Sequence, residues 1–230
     1  MNSHIKKSVV IVAGGKGNRM GADIPKQFMP IAGKPMLMHT IESFSSYDDG
    51  VRIILVLPQD YVTLWRQLCI EHKFDIKHII VEGGETRFHS VKKGLREVHP
   101  EEIVAVHDGA RPFASSELIG KCYSEAFRYK CGVIPVVDEV NSIRKLTATG
   151  SEIIDRSEIK IVQTPQVFPG LLLKSAYETD FDSSFTDDAS VAERNGVVIK
   201  LITGEVTNLK ITTSLDMEFS EFLFKYLSKR

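Results

Sequence analysis

The stretch VVIVAGGKGNRMGADIPK, residues 9–26, joins a continuous apolar run to a glycine-rich loop carrying Lys16, Arg19 and Lys26. An unbroken apolar run suits a parallel strand covered on both faces. Glycines behind such a strand let backbone N–H groups approach anionic oxygens, and the cations would neutralise them. The loop departs from two familiar phosphate binders. A Walker loop requires Gly-x4-Gly-Lys-Ser/Thr, which no string starting at Gly14 or Gly15 supplies. A dinucleotide fingerprint requires a third glycine where Met20 stands. Pro25 stops a long helix from starting directly behind the loop. The loop therefore reads as a phosphate site of another kind, with its own arginine and lysine.

Moving outward, the chain alternates strand and helix signals. Apolar strands are expected at Val9–Ala13, Val51–Leu57, His78–Val81, Ile103–His107 and Cys131–Val137. Helical spacing of apolar residues marks Pro35–Phe44, Asp60–Lys73, Thr86–Val98 and Ser115–Lys130, the last with a serine N-cap. Repeated strand–helix units imply an α/β fold, a mostly parallel sheet with helices on both faces. The rhythm changes over 138–161, where polar and apolar residues alternate around a turn at Thr149–Gly150. Two thin strands, Ser142–Leu146 and Glu152–Arg156, carry too few apolar residues for a core of their own. They read as a protruding arm or a dimer contact, because a lone hairpin is marginal in water. Helices are expected again near Gly170–Glu178 and Asp187–Asn195, a strand at Val197–Ile202, an extended piece at Asn208–Ile211 and a last helix at Ser214–Ser228. The whole, 1–230, reads as one domain with an inserted arm.

Composition narrows the function. The 230 residues are 43% hydrophobic and 26% charged, as in an ordinary globular protein, and the net charge of −1 argues against a broad nucleic-acid surface. No apolar run approaches the length of a membrane span, and MNSHIKKS does not resemble a signal peptide. Cys69, Cys122 and Cys131 have no paired spacing, so a reducing, cytoplasmic location is expected. The histidines show no metal-ligand spacing, and no nucleophile-elbow string is present.

In open parallel sheets, ligands bind beyond the carboxyl ends of the strands. The segments that follow the strands are the glycine loop, EGGETRFHS, HDGARPF and PVVDEVNS, and the late extended piece ends in Lys210. One rim would thus gather Arg19, Lys26, Arg87, Arg111 and Lys210 around Asp108. That set suits a polyanionic substrate with a divalent cation: arginines fork phosphates, lysines act as point charges, and a carboxylate can hold Mg²⁺.

Taken together, AGGKGNRMGADIPKQF, GGETRFHSV, HDGARPF, IDRSEIKIVQTPQVF, FTDDASVAE and NLKITT resemble the 2-C-methyl-D-erythritol 4-phosphate cytidylyltransferases, over nearly the whole chain and in order. The ribitol 5-phosphate cytidylyltransferases share much of the pattern. The resemblance implies a doubly wound, Rossmann-like nucleotidyltransferase fold and a homodimer built through the arm. It implies that Arg19 and Lys26 grip the triphosphate of CTP, with Ala13, Gly14, Gly15 and Gly17 lining it. Gly83, Arg87 and Ser90 would lie around cytosine and ribose. Asp108 and Arg111 would face the acceptor phosphate and a Mg²⁺ ion, with Asp108 as the metal ligand. Arg156 would reach the acceptor bound by the neighbouring subunit, while Thr186 and Lys210 would hold the acceptor and the reacting phosphates. The family's compact P-V-x-D-T-hydrophobic-K stretch is replaced by the longer PVVDEVNSIRK, where Ser142 stands in for the threonine. Gly109 replaces a common alanine, and Asn18 an arginine.

The reaction implied is attack of a polyol phosphate on CTP with release of pyrophosphate. A phosphate monoester has its second pKa near about 6, so the nucleophile is already mostly dianionic at neutral pH. No general base is needed; the obstacle is repulsion between two anions. A nucleotide-binding module without turnover and a dinucleotide oxidoreductase are the rivals of another class. The rim cations oppose both.

Overall fold

The structure, a computed structural model, describes residues 5–14 and 24–227. Its central sheet is mostly parallel. Strand β1 (Lys7–Val12) lies in the middle, paired in parallel with β4 (Arg52–Leu57) on one side and β6 (Ile103–Asp108) on the other. Beyond β4 the sheet ends in β5 (Ile79–Glu82), again parallel. Successive side chains of β1 face opposite ways. Val9 and Ile11 enter one core with Phe44, Trp65, Leu118 and Tyr123, whereas Val10 enters another with Phe88, Val104, Phe168 and Tyr177. Both faces of the sheet are therefore covered, which explains why β1 and β6 read as unbroken apolar runs.

The helices follow their apolar spacing. Helix α1 (Met36–Tyr47) buries Leu37, Met38, Ile41 and Phe44. Helix α2 (Val62–Glu71) starts behind a single 3-10 turn at Gln59–Tyr61, and α3 (Arg87–Gly94) is capped by Thr86, whose hydroxyl accepts from the His89 N–H. Helix α4 (Ser116–Tyr129) buries Leu118, Ile119, Cys122, Tyr123 and Ala126; Ser115 caps it by accepting from the Leu118 N–H at 3.0 Å. Strand bounds agree with the sequence reading to within two residues. The long expected helices at 60–73 and 86–98 are shorter, each flanked by a 3-10 turn.

The second half departs further. Strand β7 (Gly132–Asp138) pairs in parallel with β12 (Ile199–Thr203), as the alternation implied. Its other edge meets two short antiparallel strands that the sequence reading missed, β10 (Lys160–Val162) and β11 (Gln166–Pro169). Strand β11 also pairs with β6, so this returning limb is wedged between β6 and β7. The arm itself is a hairpin, β8 (Ile143–Thr147) with β9 (Gly150–Ile154), turning at Ala148–Thr149. It begins where β7 and β10 part, because Asp138 is paired with Lys160. Helices α5 (Gly170–Ala176) and α6 (Asp188–Arg194) return to the body. The expected extended piece at Asn208–Ile211 joins no ladder; its Ile211 N–H donates to the Ala110 carbonyl at 2.9 Å, and side-chain bonds hold the rest of it.

A third apolar cluster sits under the last helix, α7 (Ser214–Leu227). It joins Met217 and Leu223 to Ile31, Met36, Ala110, Phe113 and Ile211. Here a small hairpin, β2 (Pro30–Ile31) with β3 (Lys34–Pro35), turns through Ala32 and Gly33 at φ 48° and 85°. Both positive angles match the two-residue turn that joins twisted strands, and Glu221 of α7 accepts the Ala32 N–H at 2.7 Å.

Candidate active site

The carboxyl end of β6 places Asp108 at the mouth of the sheet, 12% exposed at its side chain. Three cations from three segments converge on it. Lys210 Nζ lies 2.8 Å from one carboxylate oxygen, Arg111 Nε 3.8 Å from the same oxygen, and Arg87 Nε 3.4 Å from the other. Burial alone would raise the carboxyl pKa, but the charges of Arg87, Lys210 and Arg111 outweigh it and hold the group well below the usual carboxylate range. Asp108 thus stays ionised at any ordinary pH.

Each cation is itself held. Arg87, at the first turn of α3, forks onto Asp188 with Nη1–Oδ1 and Nη2–Oδ2 distances of 3.0 and 2.6 Å. Asp188 is wholly buried and also accepts from the Tyr177 hydroxyl at 2.7 Å. Burial would depress the Arg87 pKa; Asp188 and Asp108 together raise it beyond its ordinary value. Arg111 donates to the Asn208 carbonyl at 2.7 Å, which fastens the turn after β6 to the segment bearing Lys210. Lys26 donates to the carbonyl of Ile211, the residue after Lys210, at 2.8 Å.

Behind Asp108 runs a chain of hydrogen bonds. The Asp108 N–H donates to Thr164 Oγ1 at 3.1 Å, Thr164 Oγ1 lies 3.0 Å from His107 Nδ1, and His107 Nε2 lies 3.0 Å from the Arg111 carbonyl. One assignment satisfies every member: the threonine hydroxyl donates to Nδ1, and a neutral imidazole donates from Nε2 to the carbonyl. Burial agrees, lowering the His107 pKa to about 4. His107 packs at the strand end, as its place in the sequence indicated, and is no proton acceptor for chemistry.

A second group forms at the ends of β1, β4 and β5. Ser90 Oγ accepts the Gly84 N–H at 3.0 Å, and Lys93 donates to the Gly83 carbonyl at 2.8 Å. A Cβ built on Gly83 would lie 3.2 Å from Ser90 Oγ, and one on Gly14 3.9 Å from it. Gly14, Gly83 and Ser90 therefore share one small region. A Cβ on Gly84 would come within 2.4 Å of His89 Cβ, so only glycine lets the loop lie against α3. Ala13 is fixed by its N–H to the Val56 carbonyl and by Gln27, which donates to its oxygen at 2.8 Å.

The remaining sequence candidates lie elsewhere or outside the description. Gly15, Gly17 and Arg19 fall outside the described residues. Ser142 and Arg156 are exposed in the arm, and Arg156 donates to the Val140 carbonyl at 2.7 Å. Thr186 is exposed, two residues before Asp188. Sequence reasoning missed Asp188, Tyr177, Thr164 and Asn208 as supports. Asp188, Thr164 and Asn208 were present only as unassigned letters inside FTDDAS, QTPQ and NLK, and Tyr177 lies outside every string singled out.

This arrangement can hold polyanions without supplying a base. A family model described as 2-C-methyl-D-erythritol 4-phosphate cytidylyltransferase matches residues 7–226. The chain is 54% identical over 219 residues to the 2-C-methyl-D-erythritol 4-phosphate cytidylyltransferase of Bacteroides thetaiotaomicron, covering 95% of this chain and 100% of the relative. It is 54% identical over 217 residues to the enzyme of that name in Bacteroides fragilis, covering 94% and 99%. The crystal structure of 4-diphosphocytidyl-2C-methyl-D-erythritol synthase from Anaerococcus prevotii aligns with a TM-score of 0.81 at 29% identity, covering 96% of each chain. With sequence likeness running end to end and the cationic rim in place, the chain belongs to the 2-C-methyl-D-erythritol 4-phosphate cytidylyltransferase family.

Proposed function

We infer that this chain transfers CMP from CTP to 2-C-methyl-D-erythritol 4-phosphate, giving 4-CDP-2-C-methyl-D-erythritol and pyrophosphate. One observation carries the reading: Arg87, Arg111 and Lys210 meet at Asp108, with Lys26 bonded beside Lys210. Such a rim lowers the cost of bringing a phosphate dianion up to a triphosphate, which is the main barrier in this transfer. Lys26, Lys210 and Arg19 would carry the charge of the triphosphate. Gly14, Gly83 and Ser90, with Ala13, Gly15 and Gly17, would cradle the nucleotide. Arg111 and Thr186 would hold the acceptor phosphate and polyol.

A Mg²⁺ ion fits this site only as a shared guest. The described residues contain no group of three metal-ligating side chains, whereas Asp108 offers one buried, ionised carboxylate at the strand end. Magnesium commonly binds through one or two carboxylates plus substrate phosphates. Asp108 would hold it jointly with the nucleotide, and the ion would supply charge neutralisation at phosphate oxygens. Lys210, already beside that carboxylate, would turn to the phosphates, while Arg87, forked on Asp188, would stay with the cytosine and ribose.

The arm would complete the site in trans. Ser142 and Arg156 would serve the acceptor of a neighbouring subunit in a homodimer built through β8 and β9. The exposed Val140, Leu146 and Ile153 on the arm support that reading. Unpaired Cys69, Cys122 and Cys131 suit a reducing cytoplasm. The deciding experiment is pyrophosphate release with Mg²⁺, each nucleoside triphosphate and each acceptor. Turnover is expected with CTP and 2-C-methyl-D-erythritol 4-phosphate; preference for ribitol 5-phosphate would reverse the assignment.

A further inference from the structure

Helix α7 has two apolar faces. The inner one, Met217, Ser220 and Leu223, is buried on the body. On the opposite side stand Leu215, Phe219, Phe222 and Tyr226, at 73%, 51%, 62% and 42% exposure. Their spacing of four, three and four residues keeps them on one stripe along the helix. Adjacent rings touch, with centroids 6.1 Å apart for Phe219–Phe222 and 6.4 Å for Phe222–Tyr226. A continuous aromatic strip on a surface helix marks a contact site rather than scattered exposure.

The flanking charges say what fits it. Glu218 and Lys225 are both exposed, seven residues apart on the same flank of the stripe. A two-fold axis through the middle of the stripe sets Phe219 against Phe222 of the partner subunit and Leu215 against Tyr226 of the partner subunit. The same axis brings Glu218 opposite Lys225 of the partner subunit, twice over. Parallel pairing would instead oppose like charges. Antiparallel helix dipoles are also favourable, and self-complementarity under a two-fold is the signature of an isologous contact. A membrane surface fits less well, since Asp216, Glu218 and Glu221 are acidic where an interfacial helix is rich in Lys and Arg. We propose that α7 is a self-association surface, packing antiparallel against α7 of a second copy of this chain, separately from any contact made by the arm.

Sedimentation velocity of the full chain tests this. Phe219→Glu/Phe222→Glu is expected to halve the assembled mass with unchanged circular dichroism. Glu218→Lys or Lys225→Glu alone should weaken self-association about two- to fivefold, the range of an exposed ion pair. The double exchange Glu218→Lys/Lys225→Glu should restore it, which a merely greasy contact would not show. Leu146→Glu/Ile153→Glu, directed at the arm, should leave the α7 contact intact, so failures of the two contacts are told apart. The proposal is overturned by an unchanged mass in the double phenylalanine variant, by a charge exchange no tighter than its single changes, or by binding of the wild type to anionic vesicles in place of self-association.

Discussion

At the end of β6, charged side chains are packed until each one is spoken for; along β8 and β9, they lie in the open. Asp108 meets three cations, and Arg87 meets two carboxylates. The arm offers Lys145 beside Glu152 at 3.2 Å, both more than half exposed, and Arg144 bonded to Ser151 across the hairpin. Water screens the second set; in the first it reaches Lys210 and part of Arg87 but little of Asp108 and Arg111. Among the described residues, the rim's charges are thus paired with one another inside one chain. The arm has strand pairing but no core, and its apolar residues face outward, so its order depends on what it touches.

The sharpest way to break this contrast is to remove charge at the rim. Lys210→Ala and Lys26→Ala are expected to fold normally and to lose about 10²-fold or more in turnover, the scale of a lost electrostatic donor. Near-normal turnover in either folded variant ends that assignment. Arg156→Ala should be inactive as well, yet mixing it with Lys26→Ala should recover part of the activity, since one site in such a heterodimer keeps both residues. Failure of the mixture would mean that Arg156 serves only its own subunit.

Next in size is the support behind Arg87. Asp188→Ala leaves the Tyr177 hydroxyl and most of the guanidinium without their partner. Because the pair is buried on one side and about a third exposed on the other, a loss of about 2–4 kcal/mol in urea unfolding is expected. An unchanged midpoint would show the fork to be ornamental.

A pH effect follows from His107. Its folded pKa of about 4 lies below the ordinary value near about 6.5, so between those values the unfolded chain binds a proton that the native state refuses. Stability should be complete above pH 6.5 and fall as the pH drops toward 4, by about 3 kcal/mol in all. His107→Asn should lower stability at neutral pH and flatten that slope; an unaltered slope would assign the acid sensitivity elsewhere. The smallest effect belongs to the arm: Lys145→Ala should move the unfolding midpoint by less than about 1 kcal/mol.

The same contrast governs what could be read from letters alone. β1, β4 and β6 were legible because burial on both faces forces continuous apolar runs. The hairpin was legible because alternation and a turn suffice to mark it. Strands β10 and β11 were not, since KIV and QVFP are too short to carry a period, and insertion against the direction of a sheet leaves no local trace. At the site, Asp108, Arg111 and Lys210 announced themselves by standing beyond strand ends. Asp188 did not, because an aspartate opening a helix looks like a cap until its partner Arg87, a hundred residues away, is seen beside it. Thr164 was hidden likewise by a role that exists only across strands.

The wedged limb has a consequence for how this protein can vary. It leaves the arm as β10 and reaches Thr164 two residues after Val162, so the hairpin and the cushion under Asp108 are successive lengths of one thread. Growth at the hairpin tip, around Ala148, is absorbed in solvent. One residue inserted between Val162 and Thr164 would rotate the hydroxyl away from imidazole and amide alike. An insertion scan should therefore find wide tolerance at the tip and none at the root, a boundary set by the phase of a single strand.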